Sequence, residues 1–195
     1  SKITDQLIMG INSDPLRSAG HLCSATIDNF SGLINRIHKK GIKIQLWNRM
    51  RVHMTYPRVL EIDVLNDILV CHQNPAALSR YSLTIEKIKE EQKSSGIWLA
   101  TAAGSTGAIQ AAGGKVLPIT SHQLQYKPRE LYYGTRKTPY RLSGGLISPH
   151  KIIKLTSLMT DGCVFPDGCQ VQYELPMGST ITISCSPQPL RVVTG

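Results

Sequence analysis

From Gly41 onward the apolar residues of this chain come only in short runs, each closed by Gly, Pro, Asn or Asp. Runs at 64–70, 81–85, 97–100, 152–155, 171–175 and 181–185 are too short for helices that bury one face. Their spacing is that of strands joined by turns. Ile44 and Leu46 alternate with Lys43 and Gln45 in the same period of two. The pattern predicts an all-β sandwich or barrel-like body. The charged stretch 86–95 reads as an exposed hairpin loop. Residues 127–150, with their Pro, Gly and Arg, read as a loop, either ordered over an active site or flexible.

The first forty residues differ in texture. A short buried strand is expected at 7–11, then a turn at 12–20 rich in Asn, Ser, Asp, Pro and Gly. Ile27, Phe30, Leu33, Ile34 and Ile37 share one face at helical spacing, with Thr26 as the cap, Asp28 in the first turn, and Lys39, Lys40 and Gly41 at the end. A short α/β fragment therefore precedes a mainly β domain.

Composition narrows the function classes. With 195 residues, 41% of them hydrophobic, the chain can bury a core. No run of about 18 apolar residues offers a membrane span, and no apolar leader opens the chain. It begins at Ser1 rather than Met, and the expectation is that it is part of a longer protein. Lys plus Arg number 22 against 13 Asp plus Glu, a net +9 that suits either anionic partners or simply a solvated surface. The cations are scattered and not interleaved with aromatics, so nucleic acid is not the expected partner. Five cysteines with no CxxC pair point to free thiols in a reducing compartment and away from zinc.

Four constellations stand out. The first runs from Ser94-Ser95-Gly96 through Thr101, Ala103, Gly104-Ser105-Thr106-Gly107-Ala108 to Gly113-Gly114: a strand, a Gly-Ser-Thr turn, then an alanine-rich segment fit for a short helix. It serves either as a ligand cradle, with backbone N–H groups pointing outward and small residues against the ligand, or as a tight corner with a Ser/Thr cap. The second is Asn66-Asp67 before an apolar strand. A carboxylate there can accept from a ribose diol and an amide can pair with a base edge; an ordinary turn gives the same pattern. The third, Gly10-Ile11-Asn12 followed by 17–23, lies at a strand's carboxyl end, where a ligand site or an Asx-turn would sit. The fourth, Asp167-Gly168, is a hairpin signal assigned mainly to architecture.

In order and spacing these four resemble the NAD kinase family, over nearly the whole chain. That family has a Gly-x-Asn turn, an Asn-Glu pair, a Thr-Pro-x-Gly-Ser-Thr-Ala-Tyr turn with a following Gly-Gly, and an Asp-Gly hairpin. Here they look like 10–12, Asn66-Asp67, 96–108 with Gly113-Gly114, and Asp167-Gly168. The strings Asn-Asp-Ile-Leu, Ser-Arg-Tyr-Ser and Thr-Ala-Ala-Gly-Ser-Thr look most like the plant-type NADH kinase branch. The resemblance implies a mainly β fold: an NAD kinase-like β-sandwich domain at 21–185, preceded by a short α/β fragment at 1–20 left from an N-terminal ATP-binding domain. A segment at 186–195 would return to that N-terminal domain. It implies ATP-dependent phosphorylation of the adenosine-ribose 2′-hydroxyl of NAD or NADH, with ATP and Mg²⁺, in a cytoplasmic homo-oligomer. Asn66 would bond the adenine side and Asp67 the ribose hydroxyls; Thr106 and Gly107 would line the adenine pocket with Ala103 as its wall; Asn12, Ser95, Thr101, Ser105 and Ala108 complete the expected substrate-binding set.

The departures are informative. Asp67 is one methylene shorter than the family's Glu, Ser95 stands where many members have Asp, and Ala108 where many have Tyr. The family's Gly-Gly-Asp-Gly-Thr motif, whose Asp is thought to help deprotonate the attacking hydroxyl, does not occur in the chain. Phosphoryl transfer rests on positioning and charge neutralisation, so the 195 residues alone are expected to be inactive, and no catalytic or metal-binding residue is assigned to them. Two other readings stay open. A non-catalytic nucleotide-binding module would bind dinucleotide without turnover, and a diacylglycerol- or sphingosine-type kinase relative would phosphorylate lipid but not NAD(H).

Overall fold

The computed structural model describes residues 3–17, 20, 22–39 and 41–194. Ser1, Ser18, Ala19, His21 and Lys40, which figure in the sequence reading, lie outside the described residues. The chain divides into two compact units, one of residues 48–187 and one formed by the chain up to Trp47 together with Gln188 onward.

The smaller unit holds β1 (Leu7–Ile8), β2 (Ile11–Asn12), β3 (Ala25–Thr26), α1 (Phe30–His38) and β4 (Lys43–Trp47). The run expected at 7–11 is thus two short strands. The helix starts later than its apolar face suggested: Asn29 takes the capping position, and its Oδ1 accepts from Thr26 N–H at 2.8 Å. That arrangement leaves Ile27 two-thirds exposed, outside the helix. Leu33 packs with Ala25 and Val193 in a small core.

In the larger unit come β5 (Met50–Met54), β6 (Leu60–Val64), β7 (Asp67–His72), β8 (Ser79–Ile85), β9 (Ile88–Ser94) and β10 (Ile97–Ala100). A 3₁₀ turn (Ala103–Thr106) and the one-turn α2 (Ala108–Ala111) follow. The chain continues with β11 (Leu124–Pro128), β12 (Gly145–Ile147), β13 (Ile153–Ser157), β14 (Gly162–Pro166), β15 (Tyr173–Glu174) and β16 (Thr180–Cys185). They form two six-stranded sheets, ordered β12-β11-β10-β7-β14-β15 and β6-β5-β16-β13-β8-β9, with every pairing antiparallel. One apolar core joins Ile68, Val70, Leu99 and Val164 of the first sheet to Val52, Leu83, Leu155 and Ile183 of the second. This is the expected β-sandwich. β17 (Leu190–Thr194) belongs to the smaller unit, between β1 and β4.

One expectation is corrected. Residues 88–94 are a strand on the edge of a sheet, not an exposed hairpin loop. Glu90, Gln92 and Ser94 face inward at alternate positions, where apolar residues would ordinarily stand, so hydrophobic periodicity could not show the strand. Glu90 accepts from the Arg141 and Leu142 N–H groups at 3.1 and 3.0 Å, and Gln92 Nε2 donates to the Leu142 carbonyl at 2.8 Å, while Gln92 Oε1 is buried without a partner among the described residues.

Candidate functional site

Strand order builds the site. β7 runs antiparallel to both neighbours, with Asp67 opposite Ala100 of β10 and Ile68 opposite Pro166 of β14. The start of β7 therefore meets the ends of β10 and β14, and three turns converge at one end of the sheet: Leu65-Asn66, 101–107 and Asp167-Gly168.

Hydrogen bonds lock these turns together. Thr101, fully buried, donates its Oγ1 proton to the Leu65 carbonyl, and its N–H donates to the Asn66 carbonyl at 2.9 Å. Thr101 Oγ1 in turn accepts from Ala103 N–H at 3.1 Å and Gly104 N–H at 3.4 Å. Gly104 lies so close to the Asn66 backbone that a Cβ there would run into the Asn66 carbonyl and sit 2.9 Å from its Cα. From the other side the Asp167 carboxylate accepts from Leu65 N–H at 3.1 Å and Asn66 N–H at 2.7 Å. Ser105 donates to the Ala102 carbonyl at 2.7 Å and accepts from Leu117 N–H at 2.9 Å, which fixes the following chain.

This stitching takes up much of the backbone that an N–H cradle would use. The N–H groups of Ala103, Gly104, Ser105 and Gly107 are engaged within the corner itself, because Thr101 Oγ1 and the 3₁₀ turn take them. What remains open is a rim. Thr106, Gly107 and Ala108 are exposed, with the buried Ala103 behind them. Asp67 is half-buried, and its Oδ2 is 3.7 Å from where a Gly107 Cβ would stand. Burial, and after it the charge of Asp167, push the Asp67 carboxyl up to about 6. Asn66 Oδ1 is buried with no hydrogen-bond partner, which leaves an acceptor ready for a donor.

Eight of the ten expected residues thus gather: Asn66, Asp67, Thr101, Ala103, Ser105, Thr106, Gly107 and Ala108. Ser95 does not join them. It sits at the opposite end of β10, in the wall of a cavity of about 430 Å³ with Trp98, Phe165 and Arg129. Asn12 belongs to the smaller unit, where its Oδ1 accepts from Asp14 N–H at 3.1 Å in an Asx-turn. Sequence reasoning missed the part played by Asp167. Its Asp-Gly signal announced a hairpin, but no local pattern could show a carboxylate clamping a turn a hundred residues earlier. Among the described residues no group of three or more His, Cys, Asp or Glu side chains is placed to hold a metal ion.

No protein-family model matches the chain. It is 34% identical to a probable NADH kinase of Oryza sativa subsp. japonica over 95% of its own length and 63% of that protein's. It is 33% identical to an NADH kinase of Arabidopsis thaliana over 95% of its length and 64% of that protein's. A Methanoculleus marisnigri NAD kinase is 30% identical, with 96% and 66% covered. The chain therefore spans just under two thirds of these relatives. The fold is also that of a yeast NADH kinase complexed with NADH (TM-score 0.80, 15% identity, 97% of this chain and 61% of that one). It is shared too with an Archaeoglobus fulgidus NAD kinase in complex with ATP (TM-score 0.74, 21% identity, 95% and 76%). With its Asn66-Asp67 turn locked onto a Gly-Ser-Thr corner, and with these relatives along nearly its whole length, the chain belongs to the NAD kinase family.

Proposed function

We propose that this chain is the dinucleotide-binding part of an enzyme that phosphorylates NAD or NADH at the adenosine 2′-hydroxyl, with ATP as donor. The observation that carries the reading is the apposition of Asp67 and Asn66 to the exposed Thr106-Gly107 rim. A ribose diol donating to Asp67 would favour its ionised form, offsetting the burial that raises its pKa. The unpartnered Asn66 Oδ1 would accept from an exocyclic amine. Gly107, without a side chain, leaves room beside the carboxylate. Magnesium would travel with the ATP phosphates.

In this reading residues 1–20 and 186–195 belong to the ATP-binding domain, and the pairing of β17 with β1 supports grouping them. The five free thiols support a reducing, cytoplasmic setting, and the resemblance supports a homo-oligomer. Turnover requires the glycine-rich Asp motif that these residues lack.

Calorimetric titration of the chain with NADH and NADPH tests the reading. Binding is expected, and Asp67→Ala and Thr106→Val should each weaken it by about 1–3 kcal/mol. Unchanged affinity in both variants would place the dinucleotide elsewhere. Phosphorylation of a lipid but not of NAD(H) by a protein carrying the glycine-rich motif would reassign the activity.

A further inference from the structure

The segment after β11 crosses the edge strand β9 and is fixed there. Tyr132 N–H donates to the Lys93 carbonyl at 2.8 Å, Tyr140 Oη donates to the Tyr132 carbonyl at 3.0 Å, and Arg136 pairs with Glu90 at 2.9 Å while its guanidinium lies 4.1 Å over the Tyr140 ring. Between this strap and the outer face of β8 and β9 lies a hollow of about 610 Å³, within the size range of small-molecule sites.

The hollow holds a charge arrangement that the protein alone does not balance. Arg80 of β8 stands directly opposite Lys93 of β9 in the antiparallel register, and both are exposed. Like charges so placed repel. Among the described residues neither cation has a carboxylate within ion-pair distance. Glu91, also in the wall, lies opposite Ser82 and offsets only part of the positive charge, and Arg136 is already satisfied by Glu90. Tyr132 and Tyr133, each about half exposed at 52% and 48%, supply aromatic surface and hydroxyls on the strap side. Tyr133 is held against Tyr140, with ring centroids 5.3 Å apart.

We propose that this hollow is a second anion site, which takes the phosphate of a small phosphorylated molecule between Arg80 and Lys93 and lays the rest of it against Tyr133. A phosphate dianion would turn the repulsion of the opposed cations into two charge-assisted contacts. The strap, fixed beforehand by Glu90, loses little freedom on binding.

The test is calorimetry at low salt with phenyl phosphate and inorganic pyrophosphate, which both lack adenosine. Arg80→Gln with Lys93→Gln should weaken both probes by about tenfold or more. Arg17→Gln with Lys43→Gln, the same charge loss in the smaller unit, should change affinity by less than about twofold. Tyr133→Leu should weaken phenyl phosphate and spare pyrophosphate. Lack of binding by wild-type protein would overturn the proposal. So would equal weakening by the control pair, which would mark general attraction to a basic protein. Equal effects of Tyr133→Leu on both probes would remove the ring from the site.

Discussion

Asp67 and Glu90 are both acids of the larger unit, and the protein treats them in opposite ways. Burial pushes the Asp67 carboxyl up to about 6, and the neighbouring Asp167 adds to the shift. Burial also works to raise Glu90, but the Leu142 and Arg141 N–H groups, Gln92 and Arg136 outweigh it and hold that carboxyl below the usual range. The two therefore tilt stability with pH in opposite directions. Glu90, with its depressed folded pKa, contributes stability that is full above the ordinary carboxylate range and is lost as the pH falls through the folded value. Asp67, with its raised pKa, favours the fold most in acid, below its unfolded value, and that contribution is lost as the pH rises through about 6. An acid that weakens its own fold at neutral pH and stands on an open rim fits a group reserved for a ligand. An acid whose partners are all internal fits a strut.

The contrast can be broken at several points. Gly104→Ala should do most damage, about 3 kcal/mol, because the methyl group would run into the Asn66 backbone. Urea unfolding would measure it, and a cost below about 1 kcal/mol would mean that the corner is looser than described. Thr101→Val keeps the shape and strands the Leu65 carbonyl and the Ala103 N–H, so a loss of about 2 kcal/mol is expected, with Thr101→Ser recovering most of it. Glu90→Gln should cost about 1–2 kcal/mol at pH 7. Its stability should also fall less than wild type's in acid, and identical acid limbs would deny Glu90 the role of strut. The smallest effect has the opposite sign: Asp67→Asn should stabilise the free protein by about 1 kcal/mol at pH 8, discounted for solvent screening, with little change near pH 4.

The legible parts of the sequence were those where apolar pattern and structure coincide. Ile97–Ala100 and the run ending at Cys185 showed their strands because alternate residues enter one core. Asn66-Asp67 and the Gly-Ser-Thr corner were visible as turns that interrupt such runs. The strand Ile88–Ser94 was hidden because its inward residues are polar, and their partners lie fifty residues downstream. The Asp167 clamp and the opposition of Arg80 to Lys93 were hidden for a related reason. Both depend on register between separate strands, which no local window contains. Ser95 shows the limit of motif spacing. Near Thr101 in sequence, it is carried the length of an extended strand away.

β17 pairs with both β1 and β4, and this sets an order of events on the ribosome. The middle strand of the smaller sheet leaves the exit tunnel only after residues 48–187 have been made, so the sandwich can close while its companion still waits for its centre. Until then β1 and β4 emerge with bare edges, the state in which a nascent chain depends most on chaperones. A stop codon just before Leu190 would therefore spare the sandwich and leave the smaller unit unable to assemble.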